Sequence, residues 1–132
     1  MNATGSVLLD TSVVVDYLRQ QDPSLIRQME GTHDLFLPLT ALGELLYSAY
    51  KSADKEQTLQ DVAAFLQVCS LLIPGEATAD WYGRVKAGLA KACTPIPQND
   101  IWIAATALEH NLPLVTRDAH FSKVPDLSVF RW

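Results

Sequence analysis

Short apolar runs alternate with longer amphipathic stretches along the chain, the pattern of strands exchanged for helices. Ser6-Val7-Leu8-Leu9-Asp10 reads as a buried strand, and residues 12–20 as the helix after it, with Ser12 as its N-cap. A short helix near 24–30 starts after Pro23. Leu35-Phe36-Leu37 reads as a second strand, closed by Pro38. Thr40 is placed to cap a helix near 41–53, where Leu42, Leu45, Leu46, Ala49 and Ala53 share an apolar face. Another helix runs near 55–68, with Leu59, Val62, Ala63 and Leu66 on one side. Leu71-Leu72-Ile73 is a third strand, ended by Pro74-Gly75. A long helix near 77–92 carries Trp81, Val85 and Leu89 at steps of four. Past Pro95-Ile96-Pro97, the helix 100–110 is apolar nearly all round, which predicts a central, buried position. A strand at 114–116, a turn and a last strand near 128–130 complete the chain.

This alternation predicts an α/β fold of three layers: a parallel sheet of about five strands with helices on both faces, joined by right-handed crossovers. The helices near 41–53 and 55–68 are too close in sequence to pack both against the sheet and are expected to project as a hairpin. With no repeat, linker or low-complexity tract, residues 1–132 read as a single domain.

Composition narrows the class. Hydrophobic residues make up 48% and charged residues 19%, as in a globular protein with its own core. No apolar run reaches the ~18 residues of a membrane span. The opening Met1-Asn2-Ala3-Thr4-Gly5 lacks the basic start and apolar stretch of a leader, so a cytoplasmic protein is expected. Cys69 and Cys93 stand alone and belong to no zinc motif; both read as small buried apolar residues. The net charge of −5 counts against broad nucleic-acid binding. It is uneven, though: residues 1–66 hold four basic and nine acidic side chains, residues 67–132 six of each.

Four of those acids carry the candidate chemistry. Asp10 ends the first strand, and Asp118 follows Leu114-Val115-Thr116-Arg117. Both then lie where open α/β sheets place their ligands, past the carboxyl ends of strands. Glu44 and Asp100 fall in the first turns of apolar helices that point them at the same edge. Carboxylates crowded there repel by roughly 3 kcal/mol per pair at about 5 Å and an effective dielectric of 20. A hard divalent cation resolves the conflict, and Mg²⁺ or Mn²⁺ suits all-oxygen ligands. Each residue also has a plainer reading: Asp10 and Asp100 as helix caps, Glu44 as a surface acid, Asp118 as an Asx-turn residue. Asp16 reads as solvated and His120 as a turn residue. Arg84 and Lys91 share a helix face and, with Arg117 and Lys123, are candidates for tracking phosphates. Tyr47, Tyr50, Trp81 and Tyr82 read as core or interface aromatics.

The blocks Leu8-Leu9-Asp10-Thr11-Ser12, Leu42-Gly43-Glu44-Leu45, Gln98-Asn99-Asp100-Ile101-Trp102 and Thr116-Arg117-Asp118-Ala119-His120-Phe121 fall in an order and within a length that resemble the PIN-domain ribonucleases, above all the VapC-type toxins of bacterial toxin–antitoxin pairs. The resemblance spans nearly the whole chain. It implies a PIN-like fold and a Mg²⁺-dependent endoribonuclease, with Mn²⁺ as an alternative ion. Asp10, Glu44, Asp100 and Asp118 would be the catalytic acids, with Asp10, Asp100 and Asp118 on the metal and Thr11, Ser12 and Thr116 in support. It further implies hydrolysis of a structured RNA, such as a tRNA or rRNA loop, leaving a 5′-phosphate and a 3′-hydroxyl. A cognate antitoxin and a homodimer are implied as partners. The chain departs from the family at Ser48, where a glycine is frequent, and at Ala92-Cys93, where a basic residue and a glycine often stand.

Two other classes fit parts of the pattern. A receiver- or phosphatase-like phosphoryl-transfer domain would use Asp10 as phosphoacceptor. Such phosphatases want a second acid two residues on, where Ser12 stands, and a receiver wants paired acids absent from residues 1–9. A non-catalytic α/β binding module would have no use for the full acidic set.

Overall fold

The computed structural model describes residues 5–132. Met1–Thr4, part of the segment read as lacking a leader, lie outside the described residues. Five parallel strands, β1 (Ser6–Leu9), β2 (Asp34–Pro38), β3 (Ser70–Leu72), β4 (Leu114–Val115) and β5 (Val129–Phe130), form one sheet in the order β3-β2-β1-β4-β5. Helices α1 (Thr11–Leu18) and α2 (Pro23–Glu30) join β1 to β2, and α3 (Leu39–Tyr50) and α4 (Lys55–Leu66) join β2 to β3. Helices α5 (Glu76–Lys91) and α6 (Gln98–His110) then carry the chain back across the sheet to β4.

That reversal builds the three layers. Strand side chains alternate in direction, so β1 sends Val7 and Leu9 to one face and Leu8 to the other. The first face buries them with Val13 and Val14 of α1, Leu25 and Met29 of α2, Ala41 and Leu45 of α3, and Val62 and Phe65 of α4. The second buries Leu8 and Leu114 with Val85 and Leu89 of α5, Ile103 and Ala104 of α6, and Phe121. Crossovers of one hand put helices on opposite faces when the chain reverses direction across the sheet. The reversal also sets β4 beside β1, paired through Leu8–Leu114 and Leu9–Val115, and the ends of these two strands form a topological switch point. Helix α6 is central, as its all-round apolar pattern predicts: Ile101 and every residue from Ile103 to Ala107 are buried.

Several local expectations are corrected. Helix α1 starts at Thr11 with Asp10 at the N-cap, so Ser12 is not the cap; its hydroxyl bonds Asp10 instead. Helix α3 starts at Leu39 behind Pro38, which puts Thr40 inside its first turn and Glu44 in its second. Proline lacks the N–H that a helix start leaves unpaired, so the chain can turn there without a hydroxyl cap. The α3–α4 hairpin forms, but it does not simply project: Val62 and Phe65 seat α4 in the core, and Phe65 meets Tyr17 with ring centroids 5.8 Å apart. Cys69 is half-buried, whereas Cys93 is exposed at the end of α5. No helix of the described residues is long and apolar enough to cross a membrane.

Candidate active site

Asp10 leaves β1 at the switch point and is buried, 4% exposed. Its Oδ2 accepts hydrogen bonds from Ser12 Oγ at 3.0 Å and from Thr116 Oγ1 at 2.7 Å. Thr116, buried past the end of β4, in turn accepts the Asp118 N–H at 3.0 Å. One hydroxyl, 106 residues from Asp10 in the chain, therefore fixes acids that follow two different strands. Asp118 Oδ1 then accepts the His120 N–H at 2.9 Å and opens the 3₁₀ turn Ala119–Lys123. The Asx-turn reading of Asp118 and its place in the acidic group are thus both correct.

Asp100 arrives from the other side, in the first turn of α6. Its Oδ2 lies 3.1 Å from His120 Nδ1, which is also 3.1 Å from Asp118 Oδ1. Ligand atoms of Asp100, Asp118 and His120 all fall within 4.8 Å of one another. Burial, then the negative charges of Asp10 and Asp118, push the Asp100 carboxyl up to about 6, against the opposing hydrogen bond from His120.

Glu44 stands farther out, on α3. Its Oε1 accepts the Thr11 hydroxyl at 2.8 Å, which ties it to the residue next to Asp10. It lines an open cleft of about 620 Å³ with Thr11, Tyr47, Lys51 and Asn99, the neighbour of Asp100. All four acids expected from the sequence therefore face one edge of the sheet. Asp100 and Asp118 are tightly grouped, Asp10 is bound to Asp118 through Thr116, and Glu44 guards the adjoining cleft.

Four side chains differ from expectation. His120 does occupy a turn, but its ring also reaches the acids. Asp16 is not simply solvated: it pairs with Arg117 at 3.1 Å and with Arg19 at 3.7 Å. Arg117 is not free to track phosphates. Its guanidinium bonds Asp16, Asp22 at 2.9 Å and the Trp132 carbonyl at 2.9 Å, while its N–H donates to Ser12 Oγ at 3.3 Å. These bonds clamp the Thr116–Asp118 segment to α1 and to the start of α2. The same contacts hold the Asp22 carboxyl below the usual carboxylate range and raise the Arg117 guanidinium. Arg84 is likewise engaged, with Asp80 at 2.8 Å and over the Trp81 ring at 5.0 Å.

A parallel three-layer α/β domain with carboxylates gathered at its switch point is thus the class that fold and site define. The family model of the PIN domain matches residues 7–127, and the chain belongs to the PIN-domain family. Ribonuclease VapC1 of Haemophilus influenzae (strain R2866) is 29% identical over 130 residues, 95% of this chain and 96% of that protein. The tRNA(fMet)-specific endonuclease VapC of Salmonella typhimurium is 28% identical over 128 residues, again 95% and 96% of the two chains. Among solved structures, VapBC2 from Rickettsia felis bound to a DNA fragment from its promoter superposes with a TM-score of 0.91 at 25% identity, covering 96% of this chain and 98% of that one.

Proposed function

We propose that this chain is a metal-dependent endoribonuclease and the toxin of a toxin–antitoxin pair. The observation that carries the reading is the convergence of Asp10, Asp100 and Asp118 at the switch point of a PIN-family fold. The donor set fits a hard divalent ion: carboxylate oxygens gathered in a partly buried mouth, where burial and the neighbouring acids raise Asp100 to about 6. Mg²⁺ or Mn²⁺ bound there supplies an activated water and charge stabilisation at the leaving oxygen of a phosphodiester.

The residues divide the remaining work. Asp10 and Asp100 would hold the ion directly, and Asp118 directly or through water. Ser12 and Thr116 hold Asp10 in one orientation by bonding one of its two oxygens. Glu44, across Thr11 in the open cleft, holds a water or takes its proton as general base. The likeness to VapC ribonucleases supports a structured RNA cut in a loop, such as a tRNA or rRNA loop, where unstacked bases are accessible. The products carry a 5′-phosphate and a 3′-hydroxyl.

A cognate antitoxin is the protein partner. VapC relatives and VapBC complexes of high similarity support that assignment. A basic side chain of the antitoxin entering the acidic mouth would meet the carboxylates as a charge-assisted partner in place of metal. The toxin itself forms a homodimer.

Purified protein incubated with cellular RNA in Mg²⁺, and separately with a chelator, tests the reading. Discrete cuts that disappear with the chelator are expected, and the bases at the cut define the target loop. RNA left whole with either ion would refute the nuclease.

A further inference from the structure

Among the described residues, the tightest group of ligand-bearing side chains adds an imidazole to two carboxylates. His120 is placed there twice over. Its backbone N–H is fixed by Asp118 Oδ1 at 2.9 Å, which sets the residue on the first turn after β4. Its Nδ1 then stands 3.1 Å from Asp100 Oδ2 and 3.1 Å from Asp118 Oδ1. Neighbouring ligand atoms around an octahedral ion with bonds near 2.1 Å are about 3.0 Å apart. The two spacings at His120 are close to that value, and the three ligand atoms lie within 4.8 Å of one another, near enough for one ion to span them. The Asp100 side chain is 13% exposed and that of His120 45%, so the ring borders the open side of the mouth, where an ion can enter.

We propose that His120 is a metal ligand through Nδ1, and that the centre is a mixed nitrogen–oxygen site selecting a first-row transition ion, such as Mn²⁺, over Mg²⁺. The inference deepens the metal-dependent reading given above and rests on it. Imidazole suits transition ions, whereas Mg²⁺ prefers carboxylate, carbonyl and water oxygens. A neutral ring ligating through Nδ1 carries its proton on Nε2. In the absence of an ion the same nitrogen donates to the two carboxylates, so the ring holds one position in both states. Asp118 fixes that position through the backbone, as an outer partner orients a metal-bound histidine.

The test uses the full chain loaded with Mn²⁺ and read by electron spin-echo envelope modulation. The expected result is a nitrogen modulation that changes frequency when histidine carries the heavier nitrogen isotope and disappears in His120→Gln. Titration calorimetry should show Mn²⁺ affinity falling roughly tenfold or more in His120→Gln, while Mg²⁺ affinity changes little. Isotope labelling of the wild-type chain keeps the test valid if the variant fails to fold. Bound Mn²⁺ without nitrogen modulation would overturn the proposal, as would equal loss of both ions in the folded variant. Absence of any Mn²⁺ binding overturns it too. RNA cleavage with Mg²⁺ by a chain lacking nitrogen modulation refutes this inference alone. Nitrogen-coupled Mn²⁺ in a chain that cuts no RNA refutes the nuclease reading alone.

Discussion

Thr116 shows how much of the site hangs on single atoms. Its hydroxyl donates to Asp10 Oδ2 and accepts the Asp118 N–H, in a position almost wholly closed to water. Thr116→Val keeps the shape, removes the acceptor of the Asp118 N–H and leaves Asp10 Oδ2 with Ser12 alone, a loss of about 1–3 kcal/mol. Urea unfolding should show that loss, and metal titration should show weaker binding as Asp10 loses its fixed orientation. A valine variant with both properties unchanged would remove Thr116 from the site.

Asp100 makes a pH-dependent prediction. Burial first, then Asp10 and Asp118, raise its carboxyl to about 6 in the folded chain. Its ordinary value is about 3.9. The folded state therefore binds the proton more tightly than the unfolded state. The stability this confers is fully present below the unfolded pKa and is lost as pH rises through about 6. In chelator, the wild type should lose melting temperature between about pH 4 and pH 6 relative to Asp100→Asn. Parallel melting curves for the two proteins across that window would contradict the assigned environment.

At the scale of elements, the end of α5 contains a local conflict. Cys93 follows the helix in the left-handed region, with φ of 58°. Its N–H bonds the Ala90 carbonyl at 3.1 Å, and the Thr94 N–H bonds the Leu89 carbonyl at 2.9 Å, which closes the turn. That conformation costs a residue with a Cβ roughly 1 kcal/mol, which glycine avoids. Cys93→Gly should therefore stabilise the protein by about 1 kcal/mol in calorimetry. A lower melting temperature would show that the cysteine has packing worth more than the strain.

The elements were largely legible because their periodicities are strong. The apolar stripe of α3 and the all-round apolar α6 survive any shift of a residue or two at their ends. Helix starts were less legible: Thr40 looks like a cap, while Pro38 decides the turn. The acids were legible because Asp10 and Asp118 stand just past apolar strands and Glu44 and Asp100 near the starts of apolar helices. His120 was not, since nothing in its local pattern shows that α6 passes above it. The Arg117 clamp joins residues 101 and 95 positions apart, and a single chain of letters carries no trace of such pairings.

On the scale of the whole molecule, the reversal of direction between β3 and β4 creates the site. It brings the ends of β1 and β4 side by side and lays α6 over them, so every acid arrives on a rigid element. On α3, Tyr47, which also lines the cleft beside Glu44, and Tyr50 are 66% and 64% exposed, whereas Trp81 and Tyr82 are half-buried and Tyr82 stacks on Trp102 at 4.2 Å. Of the four aromatics, the α3 pair is the candidate for self-association. The protein should be a dimer by light scattering at tens of micromolar, and the double substitution Tyr47→Ser with Tyr50→Ser should shift it toward monomer. A monomeric wild type under those conditions would contradict the proposed dimer.

The central claim is that the gathered carboxylates hold a metal that cuts RNA. Asp100→Asn tests it most directly, because it removes one charge from the centre of the group and leaves the shape of α6 unchanged. The folded variant should lose RNA cleavage in both Mg²⁺ and Mn²⁺, while its stability in chelator stays equal to or above that of the wild type as repulsion is relieved. Cleavage by the purified, folded variant at the wild-type rate would contradict the claim.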